Sequence, residues 1–234
     1  MVSSLRAWFA LILLSTAVAA AQSAPTVDVR LRLEFSSRIA KHAAPAAVLW
    51  LKPLDQTPPA QAEPDHTYTL VQKNRMFNPH LLVIPVGSIV QFPNADPFFH
   101  NVFSLFDGKR FDLGLYEAGS TKAVTFSREG VSYIFCNIHP EMSAVIVTLS
   151  TNLYSVADST GAFHLSDVPD GTYEMHVWIE GVGQPFLDGL VRRVHLGPGS
   201  GNLGNIVVPP DIVKPATHTN LYGKPYAPES KPPY

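Results

Sequence analysis

One short stretch of this chain, "FCNIHPEM" (135–142), gathers a thiol, an imidazole and a thioether. Two residues separate Cys136 from His139, and two more separate His139 from Met142. Cys136 is the only cysteine among 234 residues. Thiolate and thioether sulfur are soft donors that favour copper, whereas a structural zinc site would use more Cys or His and no Met. Two His, one Cys and a weakly bound Met make the trigonal donor set of a copper site tuned for redox work. The loop supplies three of these four groups. The fourth must come from elsewhere in the chain, because a chelate confined to one loop would be open to water.

The candidate is His100, in "FPNADPFFHNVFS", 36 residues before Cys136 and just after the turn Asn94-Ala95-Asp96-Pro97. If the two segments are neighbours in one sheet, His100 can face the Cys136 loop. Phe98, Phe99 and Phe103 would then keep the site dry, which tunes a metal's potential. Two other readings of Cys136 remain open: a buried small hydrophobe, or a nucleophile with His139 as its base. Against the second, no third residue is evident to orient His139, and Met142 would have no part in it. The other seven histidines (42, 66, 80, 164, 176, 195 and 218) read as surface or strand residues, with His80, beside Pro79, open to a secondary role.

The elements that would position these groups read as strands. The chain is 46% hydrophobic and 15% charged, which fits a folded protein rather than a disordered one. Its apolar runs are short, rich in Val, Ile, Phe and Tyr, and broken by Gly and Pro, so the fold class is all-β. "VDVRLRLEF" (27–35) alternates with period two, as a half-buried strand does, and "AAVLWLKP" (46–53) is a second strand. A loop at 55–65 follows. From residue 66 to 150 strand-like runs succeed one another in the manner of a β-sandwich or barrel. "YSVADSTGAFHLSDVPDGTYEMHVWIEG" opens a second rhythm that continues to about 208, and 209–234 is expected to be a flexible Pro-rich tail.

Charge and leader bound the setting. A formal net charge of −2 and no Lys/Arg run give nucleic-acid binding little support. One cysteine excludes an intrachain disulfide. At the N-terminus, Arg6, an apolar run from Ala7 to Leu14 and Ala19-Ala20-Ala21 have the layout of a secretory signal peptide over 1–21. The apolar part falls short of the roughly 20 residues a spanning helix needs. A periplasmic or otherwise exported protein beginning at Gln22, with no membrane span after cleavage, is therefore expected. Intact-mass analysis of protein from its host would check this.

These motifs resemble the cupredoxin, or blue copper, family. The spacing C-x-x-H-x-x-M with Pro directly after the His is most similar to amicyanin. "FNPHLLVIPVGSIVQFPN" resembles the family's early hairpin, "HNV" its first-ligand motif, and "GVSYIFCNIH" the strand entering its copper loop. The resemblance covers about 66–150 and implies a Greek-key β-sandwich holding one type 1 copper ion. It implies His100, Cys136, His139 and Met142 as ligands. It also implies that Asn101 lies just behind them, its hydrogen bonds bracing the loop. Glu141 departs from the pattern, since an apolar residue is usual there.

"VADSTGAFHLSDVPDGTYEMHVW" resembles the carboxypeptidase regulatory-like sandwich, over 151–208. Strands in 27–52 would complete that second sandwich if the copper module is inserted into it. In a tandem arrangement they would decorate the copper module instead. Neither module shows paired acids, a nucleophile triad or a phosphate loop, so an enzyme is not expected. The function expected is transfer of single electrons between redox partner proteins, such as a cytochrome c or a periplasmic dehydrogenase. The alternatives are a copper-binding or copper-delivery module without redox turnover, and a structural binding protein.

Overall fold

A computed structural model of the chain describes residues 25–35, 44–55, 67–105, 108–214 and 218–226. The expected signal peptide lies outside the described residues, as does most of the 55–65 loop. Among the described residues no helix is long and apolar enough to cross a membrane.

The fold is all-β. The strands are β1 (Thr26–Phe35), β2 (Ala47–Pro53), β3 (Thr67–Thr69), β4 (Val71–Lys73), β5 (Met76–Asn78) and β6 (Leu81–Pro85). They continue with β7 (Ile89–Pro93), β8 (His100–Ser104), β9 (Phe111–Tyr116), β10 (Thr121–Thr125), β11 (Gly130–Phe135) and β12 (Ser143–Leu149). The last are β13 (Tyr154–Val156), β14 (Ala162–Pro169), β15 (Gly171–Ile179), β16 (Arg192–Leu196) and β17 (Asn202–Val208). One short helix, α1 (Gln184–Leu190), lies between β15 and β16.

Strand pairing divides them into two groups. A five-stranded sheet, β6-β12-β11-β8-β9, and a three-stranded sheet, β10-β7-β3, enclose a core that includes Phe92, Phe126, Ile134, Cys136, Met142 and Ile146. The sheets β14-β1-β17 and β13-β2-β15-β16 enclose a second core. The first two strands therefore pair with residues more than a hundred positions downstream. Leu31 of β1 sits opposite Phe163 of β14, and Leu49 of β2 opposite Val177 of β15. The alternation in β1 explains its placement: Val29, Leu31 and Leu33 point inward while Asp28, Arg30, Arg32 and Glu34 face out or to the rim. Burying each such Leu contributes about 1.5–3 kcal/mol.

Strand β12 belongs to both cores. Its residues Ala144 and Ile146 face the first, while Val145, Val147 and Leu149 face the second. That is why "SAVIVTL" reads as an unbroken apolar run: a strand covered on both faces has no polar side. Polar contacts tie the same boundary. Lys52 pairs with Glu129 at 2.9 Å, Trp178 Nε1 donates to Tyr133 Oη at 3.2 Å, and His80 Nε2 lies 2.8 Å from Glu180. The Glu180 hydrogen bond, set against burial, raises the His80 pKa. His80 thus joins the two groups of strands.

Within the tail expected over 209–234, residues 209–214 and 218–226 are described, and they contact the rest of the protein. Past β17, Val213 bridges to Val182, and residues 218–226 lie against the loop that follows β11. The absence of apolar periodicity concealed this, because residues 218–226 are held by hydrogen bonds and a stacked ring, and only Ile212 and Val213 pack against the second core.

Candidate metal centre

His100 opens β8, and a chain of hydrogen bonds fixes how its ring is presented. Asn94 starts the preceding turn: its Oδ1 accepts the Asp96 N–H at 3.0 Å and its Nδ2 donates to Phe98 O at 2.8 Å. The turn delivers the buried Asp96 carboxylate to three donors. Asp96 Oδ1 accepts from Asn74 N at 2.6 Å, and Oδ2 accepts from Arg75 N at 2.9 Å and from His100 Nε2 at 2.8 Å.

Asn74 and Arg75 are the two tip residues between β4 and β5, with φ of 56° and 55°. Positive φ at both positions is the geometry of a tight two-residue hairpin, and Arg adopts it at some cost. Asp96 offsets that cost by accepting both tip amides. Burial opposes ionisation of Asp96, but the Arg75 amide, the His100 ring and the Asn74 amide outweigh it and hold the carboxyl below its ordinary pKa. A carboxylate only accepts, so Nε2 of His100 carries the hydrogen and Nδ1 keeps its lone pair.

That lone pair points at the end of β11. His100 Nδ1 lies 3.8 Å from Cys136 Sγ and 3.1 Å from His139 Nδ1, and Cys136 Sγ lies 3.6 Å from His139 Nδ1. These three side chains are the one group of potential metal-holding His, Cys, Asp and Glu found among the described residues. Cys136 and His100 are fully buried, and His139 is partly exposed.

The loop from Cys136 to Met142 closes on itself, with Cys136 N donating to Met142 O at 3.3 Å and Met142 N to His139 O at 3.1 Å. Met142, at its far end, is wholly buried in the same core as Cys136. Phe98 presents its ring edge-on to both imidazoles, with centroids 5.2 Å from His100 and 5.7 Å from His139. Phe103 is buried one layer away against Phe135. Phe99, expected beside Phe98, is 55% exposed and does not screen the site.

Asn101, which the resemblance implies braces the loop by its hydrogen bonds, is buried, and its side chain and backbone go to different partners. Its amide donates to Asp112 Oδ1 on β9 at 2.7 Å, tying β8 to β9. Its backbone N–H is the part that bonds to Cys136. This follows from strand geometry: the side chain of the residue after His100 points to the opposite face.

The donor set fits a soft metal ion. A triangle with sides 3.1, 3.6 and 3.8 Å has its corners about 2 Å from a common centre, close to metal–nitrogen and metal–sulfur bond lengths. Burial pushes the Cys136 thiol pKa up, while backbone N–H groups of Asn101, Ile138 and His139 favour the thiolate. Burial and the neighbouring His100 push the His139 pKa down, so its ring stays neutral. Two imidazole Nδ1 atoms and a sulfur ringed by backbone amides converge on one point, where a cation would bind all three.

Two contributors were not found from sequence. Asp96 stands four residues before His100, a spacing without a distinctive signal because its other partners come from a hairpin more than twenty residues earlier. The second is the C-terminal segment: His218 stacks on Phe135 with centroids 3.9 Å apart, and Tyr226 Oη donates to Cys136 O at 2.8 Å. Burial first, and the Cys136 charge second, push the Tyr226 phenol up to about 12, so it remains a donor at ordinary pH.

No family model matches the chain, and no curated protein does. Among solved structures, it is similar to a novel purple cupredoxin from Nitrosopumilus maritimus, at 24% identity and a TM-score of 0.32, over 35% of this chain and 99% of that one. It is similar to a reduced Cu(I) form of an amicyanin variant at 19% identity and a TM-score of 0.34, over 36% of this chain and 84% of the other. A Cu-containing nitrite reductase (NirK) from Thermus scotoductus SA-01 gives 26% identity and a TM-score of 0.35 over 42% of this chain, which spans only 25% of that enzyme's length.

Proposed function

We propose that this chain is an exported type 1 copper protein that passes single electrons between redox partners. The observation that carries the reading is the triangle of His100 Nδ1, Cys136 Sγ and His139 Nδ1, with Met142 buried at the end of the same loop. His100, Cys136 and His139 would hold the ion in this reading, and Met142 would be a weak fourth donor. Bound there, copper supplies a one-electron couple.

The chain's own residues set the conditions for it. Asp96 fixes the His100 tautomer, the amides of Asn101, Ile138 and His139 partly offset the burial that raises the Cys136 pKa, and Phe98 packs against both imidazoles. Three of the four groups are fully buried, while His139 reaches toward solvent and is the natural edge for a partner to approach. The sandwich built from β1, β2 and β13–β17, read as carboxypeptidase regulatory-like, serves as the scaffold that covers the outer face of β12.

Met142→Leu tests the fourth-donor assignment. Losing a weak donor disfavours Cu(II), so the variant should keep copper and raise the reduction potential, as read by voltammetry. Loss of copper from Met142→Leu would make Met142 a principal ligand and require a different donor set.

A further inference from the structure

The loop from Cys136 to Met142 makes two backbone–backbone hydrogen bonds within itself, at 3.3 and 3.1 Å, beside the Ile138 and His139 amides turned to the Cys136 sulfur, and Ile138 at its crest is 44% exposed. A loop with so few internal bonds fluctuates unless something outside fixes it. The C-terminal segment supplies three further hydrogen bonds to it. Tyr226 Oη donates to Cys136 O at 2.8 Å, Leu221 N to Asn137 Oδ1 at 2.8 Å, and His218 Nε2 to Pro140 O at 2.9 Å. These points lie on both sides of His139 in sequence.

The segment is itself built to span that distance. Asn220 Oδ1 accepts the N–H groups of Tyr222 and Lys224, both at 3.0 Å, and Gly223 N donates to Asn220 O at 2.9 Å with φ of 71°. This closed turn sets the spacing between His218 and Tyr226, whose ring nitrogen Nδ1 and hydroxyl meet at 3.0 Å. His218 is anchored from behind by its stack on Phe135, the residue before Cys136.

We propose that residues 218–226 are a positioning strap of the metal centre, with Tyr226 and His218 holding the Cys136–Met142 loop in the conformation that brings Cys136 and His139 to His100. The proposal takes the copper reading only for the strap's purpose. The strap's mechanical role does not depend on it. Each strap bond removed should let the loop open more often and expose the sulfur of Cys136, which is otherwise fully buried.

The test is the rate at which iodoacetamide alkylates Cys136 in the metal-free full-length chain, where a single cysteine makes the reading unambiguous. Tyr226→Phe should react about fivefold faster, the worth of one neutral hydrogen bond. His218→Ala, which loses a bond and a stacked ring, should react about tenfold faster or more. His218→Gln keeps an amide donor for Pro140 O and should recover most of the protection. Tyr222→Phe, on the exposed tip of the turn, should react like the unsubstituted chain. Thermal unfolding midpoints are measured alongside. Faster alkylation with unchanged midpoints supports the strap. Equal rates in Tyr226→Phe, His218→Ala and the unsubstituted chain would overturn it, and so would acceleration that only tracks a falling midpoint.

Copper loading separates this inference from the functional reading. If the unsubstituted chain takes up no copper, that reading fails while the alkylation rates still decide the strap. If copper binds, Tyr226→Phe should shift the visible band. An unchanged band together with unchanged alkylation would remove the strap and leave the copper reading intact.

Discussion

His139→Gly should take up copper with an altered visible spectrum, and free imidazole should restore the original one. The ring removed is partly exposed, on a loop between Asn137 and Pro140, so its loss opens a hole that solvent and a small ligand can enter. Cys136, His100 and Met142 stay in place because they are buried and held by other elements. His100→Gly should behave differently. Its ring is fully buried, bonded to Asp96 and lined by Phe98, so the cavity is closed to added imidazole. An imidazole titration of both variants, followed by visible absorption, makes the comparison. Rescue of His100→Gly as easily as His139→Gly would overturn the assignment of His139 as the exposed edge of the site.

Asp96→Ala should be the most damaging change outside the ligands. It strips an acceptor from three donors at once: the two strained hairpin amides and His100 Nε2. Of these donors His100 Nε2 is fully buried, and leaving it unpaired costs about 1–3 kcal/mol, while water reaches the two tip residues and partly satisfies their amides, so a stability loss of about 1–3 kcal/mol is expected from denaturant unfolding. Freeing the imidazole to rotate or change tautomer should weaken copper binding by about 10–100-fold. Asp96→Asn, which keeps one acceptor oxygen, should fall between. Unchanged copper affinity in Asp96→Ala would show that His100 is held by packing alone, or is not a ligand.

How far the sequence disclosed this site depends on where each group's partners lie. Cys136, His139 and Met142 fall within seven residues, so their chemistry is visible from spacing. His100 could be chosen because it follows a strand and a turn. The alternation in 27–35 showed a half-buried strand but not its partners, since β14 and β17 lie more than a hundred residues away. Asp96 was hidden for a related reason. A carboxylate in a turn is ordinarily solvated, and only the β4–β5 hairpin folding back onto it makes this one structural. The strap was the least legible. His218 and Tyr226 act across separations of 78 and 90 residues through a ring face and single hydrogen bonds, which leave no periodic trace. Which group of Asn101 reaches the loop depends on strand direction, not on the motif.

The most direct test of copper binding by these residues is a copper titration of the full-length chain and of Cys136→Ser, followed by visible absorption. The expected result is an intense thiolate-to-copper band that saturates at one ion per chain and is absent from Cys136→Ser. Stoichiometric copper without that band, or a band that survives in Cys136→Ser, would contradict a copper site built on Cys136.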